Sequence, residues 1–382
     1  MSTPATVAVP PESQRLRDVA FLFLRLGFTA FGGPAAHIAL MEDETVTRHK
    51  WLSRDEFLDL LGIANLLPGP SSSEMAIYLG FQRAGWPGLI LGGVCFVLPA
   101  ALLAGLIAWV YLRYGSLPQA TGMLYAIRPV IVVVVLQALL RLGKTALKTS
   151  LLGVLAVCAV LLSLFGVGPV WILLLSGVLA VLIQRGRHWR QAVVSFPFFA
   201  APVAAITQVT LGSLFVFFLK LGSVVFGSGY VLLAFLRSDL VVRLHWLTER
   251  QLLDAVAVGQ ITPGPVFTTA TFIGYLLAGP KGAAVATVGI FLPAFLLVAV
   301  TGPWVFQLRK STLASAILDG INAASLGLMA AVTLYLARTA LVDVATVLAV
   351  IVGAVLLFRY RINSGWLILG AAILGVLFGH TP

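Results

Sequence analysis

Twelve long apolar stretches, separated by short loops that carry most of the charge, confine this chain to a membrane fold. They fall near residues 18–40, 55–82, 86–112, 123–140, 150–165, 169–184, 211–236, 250–276, 282–307, 314–337, 341–358 and 364–379. Only 10% of the 382 residues are charged, against roughly 25% in soluble domains, so too few polar side chains exist to cover a water-facing exterior. A mean hydropathy of +1.02 agrees. The two cysteines, Cys95 and Cys158, lie inside apolar runs and match no disulfide or metal-ligand spacing, so no metal is expected. A net charge of +11 is spread between segments and forms no basic, aromatic-interleaved stripe, which argues against a nucleic-acid partner. No nucleotide, flavin or haem motif is present, and no cofactor is expected. The Pro-rich opening carries no cleavable signal pattern.

The chain repeats itself. At an offset of 195, Leu26-Gly27 matches Leu221-Gly222, Phe31-Gly32 matches Phe226-Gly227, Trp51-Leu52 matches Trp246-Leu247, Asp59 matches Asp254, and Pro68-Gly69-Pro70 matches Pro263-Gly264-Pro265. At 194, Gly80, Gly85, Gly88 and Pro99 match Gly274, Gly279, Gly282 and Pro293. The expected organisation is a disordered tail over 1–17, a first repeat over 18–184, a basic connector over 185–205 and a second repeat over 206–382. A twofold repeat in a polytopic membrane protein points to a transporter with its site between the repeats.

Loop charge bears on topology, because cytoplasmic loops are enriched in Lys and Arg. If all twelve segments cross, the 22 basic residues outside segment interiors divide evenly. If the two Pro-Gly-Pro segments dip in and return, the halves become inverted, both termini lie outside, and the division becomes 14 to 8. The second arrangement is preferred. The expected fold is therefore all-α and polytopic, with two inverted repeats and broken or re-entrant Pro-Gly-Pro helices.

The breaks carry the chemistry. Two prolines around a glycine interrupt a helix and expose a new N-terminus with free N–H groups and a positive dipole end. Ser71, Ser72 and Ser73 follow the first break, and Thr268 and Thr269 the second, as caps and further donors to an anion. Each motif is either such a site or a packing kink; its occurrence in both halves favours the site. Asn65 and Gln260 sit three residues before the breaks and could add amides. Gly32 and Gly33, with Gly227 in the second half, loosen the first segment of each repeat and either line the path or pack closely.

Intramembrane charges are the other candidates. Arg25 and Lys220 are equivalent and either snorkel or meet the anion, whereas Arg128, matched by Asn322, has the stronger claim through its planar fork. Asp59 and Asp254 read as the sole acid pair kept in both halves, either coupling groups or acids in the headgroup zone. Glu74 is a capping residue or a proton carrier, and His37, without a histidine twin, is structural or a proton sensor. Ser53 with Glu56, and Thr248 with Gln251, predict capping boxes.

Phe31-Gly32-Gly33-Pro34-Ala35-Ala36-His37-Ile38, Met41-Glu42-Asp43-Glu44, Trp51-Leu52-Ser53 and Pro68-Gly69-Pro70 resemble the bacterial chromate ion transporter family, in its long two-domain form. The resemblance implies a multi-pass inner-membrane exporter of chromate, conferring resistance and driven by the proton-motive force. The second half departs from it, with Phe226-Gly227-Ser228-Gly229-Tyr230 and no histidine or glutamates at the places of His37, Glu42 and Glu44. Residue chemistry alone gives a small-anion transporter, with sulfate, of similar shape and charge, as the competing substrate. A passive anion channel and, more remotely, an intramembrane enzyme are the other readings. The expected partners are the anion, the lipid bilayer and, as an option, a second copy.

Overall fold

The computed structural model describes residues 11–31, 33–115, 117–185, 208–225, 231–304, 312–360, 362 and 364–378; most of the basic connector, Gly32, Gly227 and 226–230 as a whole lie outside them. Every regular element among the described residues is helical. The first repeat holds α1 (Glu12–Thr29), α2 (Pro34–Glu42) extended by a π-helical turn at Asp43–Arg48, α3 (Arg54–Ala64), α4 (Ser71–Tyr114), α5 (Pro118–Ala146), α6 (Ser150–Leu164) and α7 (Pro169–Arg185). The second holds α8 (Leu211–Val224), α9 (Leu232–Leu236) with a π-helical turn at Arg237–Arg243, α10 (Glu249–Ile261), α11 (Thr269–Thr301), α12 (Thr312–Ala340), α13 (Val344–Ala354) with a third π-helical turn, and α14 (Ser364–Phe378). Part of the tail expected to be disordered is helical, since α1 starts at Glu12 behind Pro11.

Helix α4 is a hairpin. At Ala84 and Gly85 the backbone leaves helical geometry, with Gly85 at φ 64°, and α11 turns in the same way at Gly279, φ 63°. The arms touch through glycine: a Cβ on Gly80 would collide with the Gly88 carbonyl oxygen, and one on Gly92 with that of Ala76. Small residues at such a seam let backbones approach, which replaces the hydrophobic drive that lipid removes.

The two ends of the excursion through residues 54–83 meet at one end of the molecule. The Arg83 guanidinium lies 5.2 Å from the centre of the Trp51 ring and pairs with Asp18 at 3.0 Å. The segment therefore enters and returns, as the re-entrant reading expects. Helix α1 behaves likewise, against expectation: Arg15 donates to the Arg83 carbonyl, Gly27 packs against the Cys95 and Phe96 carbonyls, and the chain turns back at Gly33 (φ 79°) and Pro34. The stretch 18–40, read as a crossing, is a second re-entrant hairpin, because a positive-φ glycine followed by proline at the first helical position restarts the chain in a new direction. The start of α1 therefore lies on the Arg83 side, not opposite it. Moving Arg15 and Arg17 to that side sharpens the basic count from 14 against 8 to 16 against 6. We call this the basic end.

The repeats are inverted. The second arm of α4 leaves the basic end, whereas the second arm of α11 arrives there, with Gly302 against Phe81 and Thr301 bonded to the Tyr78 hydroxyl. At the opposite end Tyr111 of α4 meets Phe272 of α11, ring centres 5.4 Å apart. Helices α5 and α12 pack together and exchange partners, α5 against α13 and α14 and α12 against α6 and α7. Lys148–Asp319 fastens this layer at the basic end, at 2.9 Å. At the other end Tyr125 donates to Asp343, which holds that exposed carboxyl below its ordinary range, aided by the Thr346 amide it caps. The predicted capping boxes at Ser53–Glu56 and Thr248–Gln251 are both formed. Among the described residues, four helices are long and apolar enough to cross a membrane: Ser71–Tyr114, Gln119–Lys144, Val266–Thr301 and Ile317–Ala340.

The seam gives a stability test. Gly80→Ala should cost about 1–3 kcal/mol through overpacking, whereas Gly62→Ala, with nothing within 4 Å of the new Cβ, should leave stability unchanged or slightly raised. Thermal unfolding of the two variants in detergent compares them directly.

Candidate functional site

The first arm of α4 climbs from the turn at Gly85 to Ser71, 13 residues, which is about 20 Å at 1.5 Å per residue. The first arm of α11, with a 3-10 turn at Val266–Thr268, descends a similar distance from the opposite end. Both helix starts thus lie near the middle of a core of roughly 30 Å, with their N-terminal ends converging from opposite sides. Each start carries the amide donors and the positive dipole end of its own helix.

The breaks are docked reciprocally across the repeats. The Gly69 amide donates to the Val225 carbonyl at 2.8 Å, and the Gly264 amide to the Ala30 carbonyl at 2.9 Å. Ala30 and Val225 end α1 and α8, so each repeat's first helix receives the other's break. Glycine is required on both grounds: Gly69 and Gly264 have φ 142° and 86°, and a Cβ on Gly264 would press on Ala100 at 2.9 Å. His37 joins this knot through Nε2 to the Ala30 oxygen at 3.1 Å, its Nδ1 buried without a partner. The twin position, Leu232, offers no such group.

Around the first break, Pro70 and Ser71 to Glu74 are buried. The predicted cap by Ser71 and Glu74 is not formed; Pro70 precedes the helix, and the Ser73 hydroxyl and both Glu74 carboxyl oxygens are buried with no hydrogen-bond partner. Pro68 is half-buried at the entry to the break. In the second half Pro263 and Pro265 are buried, and Thr268 and Thr269 donate to the Pro265 and Val266 carbonyls, so their hydroxyls are spent locally. Asn65 ends α3 on its exposed face and Gln260 is half-buried in α10. Gly33 caps α2; Gly32 and Gly227 are outside the described residues.

The intramembrane cations are paired. Arg25 meets Glu44 at 2.6 Å and Lys220 meets Asp239 at 3.4 Å, with Arg48 and Arg243 completing the two clusters. Glu44 and Asp239 are thus a second acid pair shared by the halves, alongside Asp59 and Asp254. The difference between glutamate and aspartate hid it from a comparison of identities. Arg128, expected at the anion, spans Asp254 with both prongs at 2.9 and 3.0 Å, and the Tyr111 hydroxyl donates to the same carboxylate at 3.0 Å. The expected binder and one expected coupling acid therefore occupy each other, away from the breaks. Asp59 is half-buried in α3. A further twin pair went unread: Glu42–Arg54 at 3.2 Å recurs as Arg237–Glu249 at 2.7 Å with the charges exchanged, visible only when the offset is applied to charge rather than identity.

Inverted repeats with broken helices meeting at mid-depth are the architecture of a secondary transporter. The chain belongs to the chromate transporter family, which it matches over residues 17–181 and 212–376, one match per repeat. It is 33% identical to a chromate transport protein of Cupriavidus metallidurans, covering 95% of this chain and 93% of that one. It is also 32% identical to a chromate transport protein of Pseudomonas aeruginosa over 98% and 95% of the two chains. A probable chromate transport protein of Synechococcus elongatus is 33% identical over 95% of each. No solved structure matches the chain.

Because Gly264 has neither the space nor the dihedral for a branched side chain, Gly264→Val should destroy the docking and with it transport, by tenfold or more. Uptake assays normalised to membrane-inserted protein read that loss, and wild-type flux would refute the importance of the knot.

Proposed function

We propose that this protein exports chromate from the cytoplasm across the bacterial inner membrane, as a secondary transporter driven by the proton-motive force, with the anion held between the two helix starts at mid-depth. The reciprocal docking of Gly69 on Val225 and Gly264 on Ala30 carries the reading. It fixes two helix N-termini at the interface of inverted repeats, where a dianion meets amides and dipoles without a full protein charge. Ser71, Ser72 and Ser73 supply hydroxyls on the first side. Pro68, Pro70, Pro263 and Pro265 keep the breaks open.

Glu74 is the coupling group in this reading. A carboxylate at that position repels a dianion, whereas the neutral acid donates to it, so anion and proton leave together with one net negative charge, which the inside-negative membrane potential drives outward. His37 lies at the second break instead, with Nε2 at the Ala30 oxygen and its buried Nδ1 without a hydrogen-bond partner. The excess of basic residues at the Arg83 end sets that end in the cytoplasm.

Cells carrying the protein should accumulate less chromate than cells without it, and a protonophore should abolish the difference. Excess sulfate should leave most of it intact if the site discriminates. Pro68→Ala, Gly69→Ala and Pro70→Ala combined should remove the effect while the protein still inserts. Glu74→Gln should remove the proton step, so that residual flux still falls with the protonophore but no longer responds to an imposed pH difference. Higher chromate in expressing cells would make the protein an importer and overturn the direction.

A further inference from the structure

The two halves share a fold but not a packing state. Leu58 of α3 is 44% exposed and its twin Leu253 of α10 is fully buried; Leu40 of α2 is 38% exposed and its twin Phe235 of α9 only 1%. The exposed face of α3 carries Asp55, Leu58, Gly62 and Asn65, one helical stripe too polar for lipid. Helix α10 packs on α5, α12 and α14, whereas the principal contact of α3 is with α4.

Beside α2, where the second half is closed, lies a cavity of about 1180 Å³. It runs between α5, α6 and α12 from Arg141 and Lys144 at the basic end to Phe31 and Ala36 at the first broken helix. At the twin place α9 packs on α12. Tyr335 stands where Arg141 does, and the Arg237 guanidinium lies 3.5 Å from its ring centre while pairing with Glu249. Beside it the Arg128 fork grips Asp254, whose side chain is 1% exposed, and Tyr111 closes the cluster. In the first half the place of Arg128 is taken by the uncharged Asn322.

We propose that the cavity is the open cytoplasmic vestibule of the transport path, and that Arg128, Asp254, Tyr111, Arg237 and Tyr335 form its closed outer gate. This rests on the transporter reading above. Arg141 and Lys144 at the mouth raise the local concentration of anions before they reach the break. Inverted symmetry supplies the alternative state: α10 and α9 swing off α5 and α12 as α3 and α2 swing on. The Arg128–Asp254 pair latches the outer gate, so the empty carrier rests open to the cytoplasm, where an exporter must load.

Thiol accessibility tests this without chromate, so its outcome is independent of substrate identity. In a Cys95→Ser, Cys158→Ser background, Gly62→Cys and Ala257→Cys place probes at twin positions on α3 and α10. In permeabilised membranes a bulky polar maleimide should modify Gly62→Cys at least tenfold faster than Ala257→Cys. Arg128→Gln or Asp254→Asn should raise the rate at Ala257→Cys about tenfold and lower that at Gly62→Cys; unfolding would raise both and is thereby separated from gate opening. Combining Arg128→Asp with Asp254→Arg should return protection toward the starting value. Equal rates at the two probes with the latch intact, or rates that neither single substitution changes in opposite directions, would overturn the gate.

Discussion

Two backbone hydrogen bonds at mid-depth hold the architecture together. In hydrocarbon an unpaired amide or carbonyl costs several kcal/mol, and this chain breaks four helices where water is scarce. It meets that constraint by giving each repeat's glycine amide to the other repeat's helix end, Gly69 to Val225 and Gly264 to Ala30. Neither half closes its own backbone at these positions, so the repeats are mutually required. The glycine seams at Gly80–Gly88 and Gly274–Gly282 follow from the same need, since a hairpin that returns to its own side must run its arms in direct contact.

Much of this was legible as sequence because the repeat is written in residues with backbone meaning. Glycine and proline mark the breaks and turns at the same offsets, and Ser53 and Thr248 mark helix starts. What hydropathy cannot encode is depth. Residues 18–40 are apolar enough to cross, and only the contact of Arg15 with the Arg83 carbonyl reveals that the segment turns back. Long-range ion pairs were equally hidden: Arg128 and Asp254 are separated by 126 residues, and each taken alone looks like a group waiting for a ligand or a proton.

The charges distinguish scaffold from path. Arg25–Glu44 and Lys220–Asp239 repeat with the same polarity, and Glu42–Arg54 repeats as Arg237–Glu249 with polarity reversed. A bond that survives exchange of its charges is maintained for its geometry, which ties each returning helix to its neighbours. The unrepeated groups are the informative ones. His37 corresponds to Leu232, Arg128 to Asn322 and Glu74 to Thr269, so in the transporter reading function is concentrated where symmetry fails.

That asymmetry extends to the two helix starts. Thr268 and Thr269 turn their hydroxyls onto carbonyls of their own loop, and Val266 and Phe267 stand where Ser71 and Ser72 do, leaving the second start with little beyond its backbone to offer an anion. The first start keeps a hydroxyl and a carboxyl unbonded in a dry place, Ser73 and Glu74. Burying such groups without partners is expensive. In the transporter reading, the bound anion and its proton satisfy them, so substrate contacts fall on the first repeat while the second contributes dipole and shape.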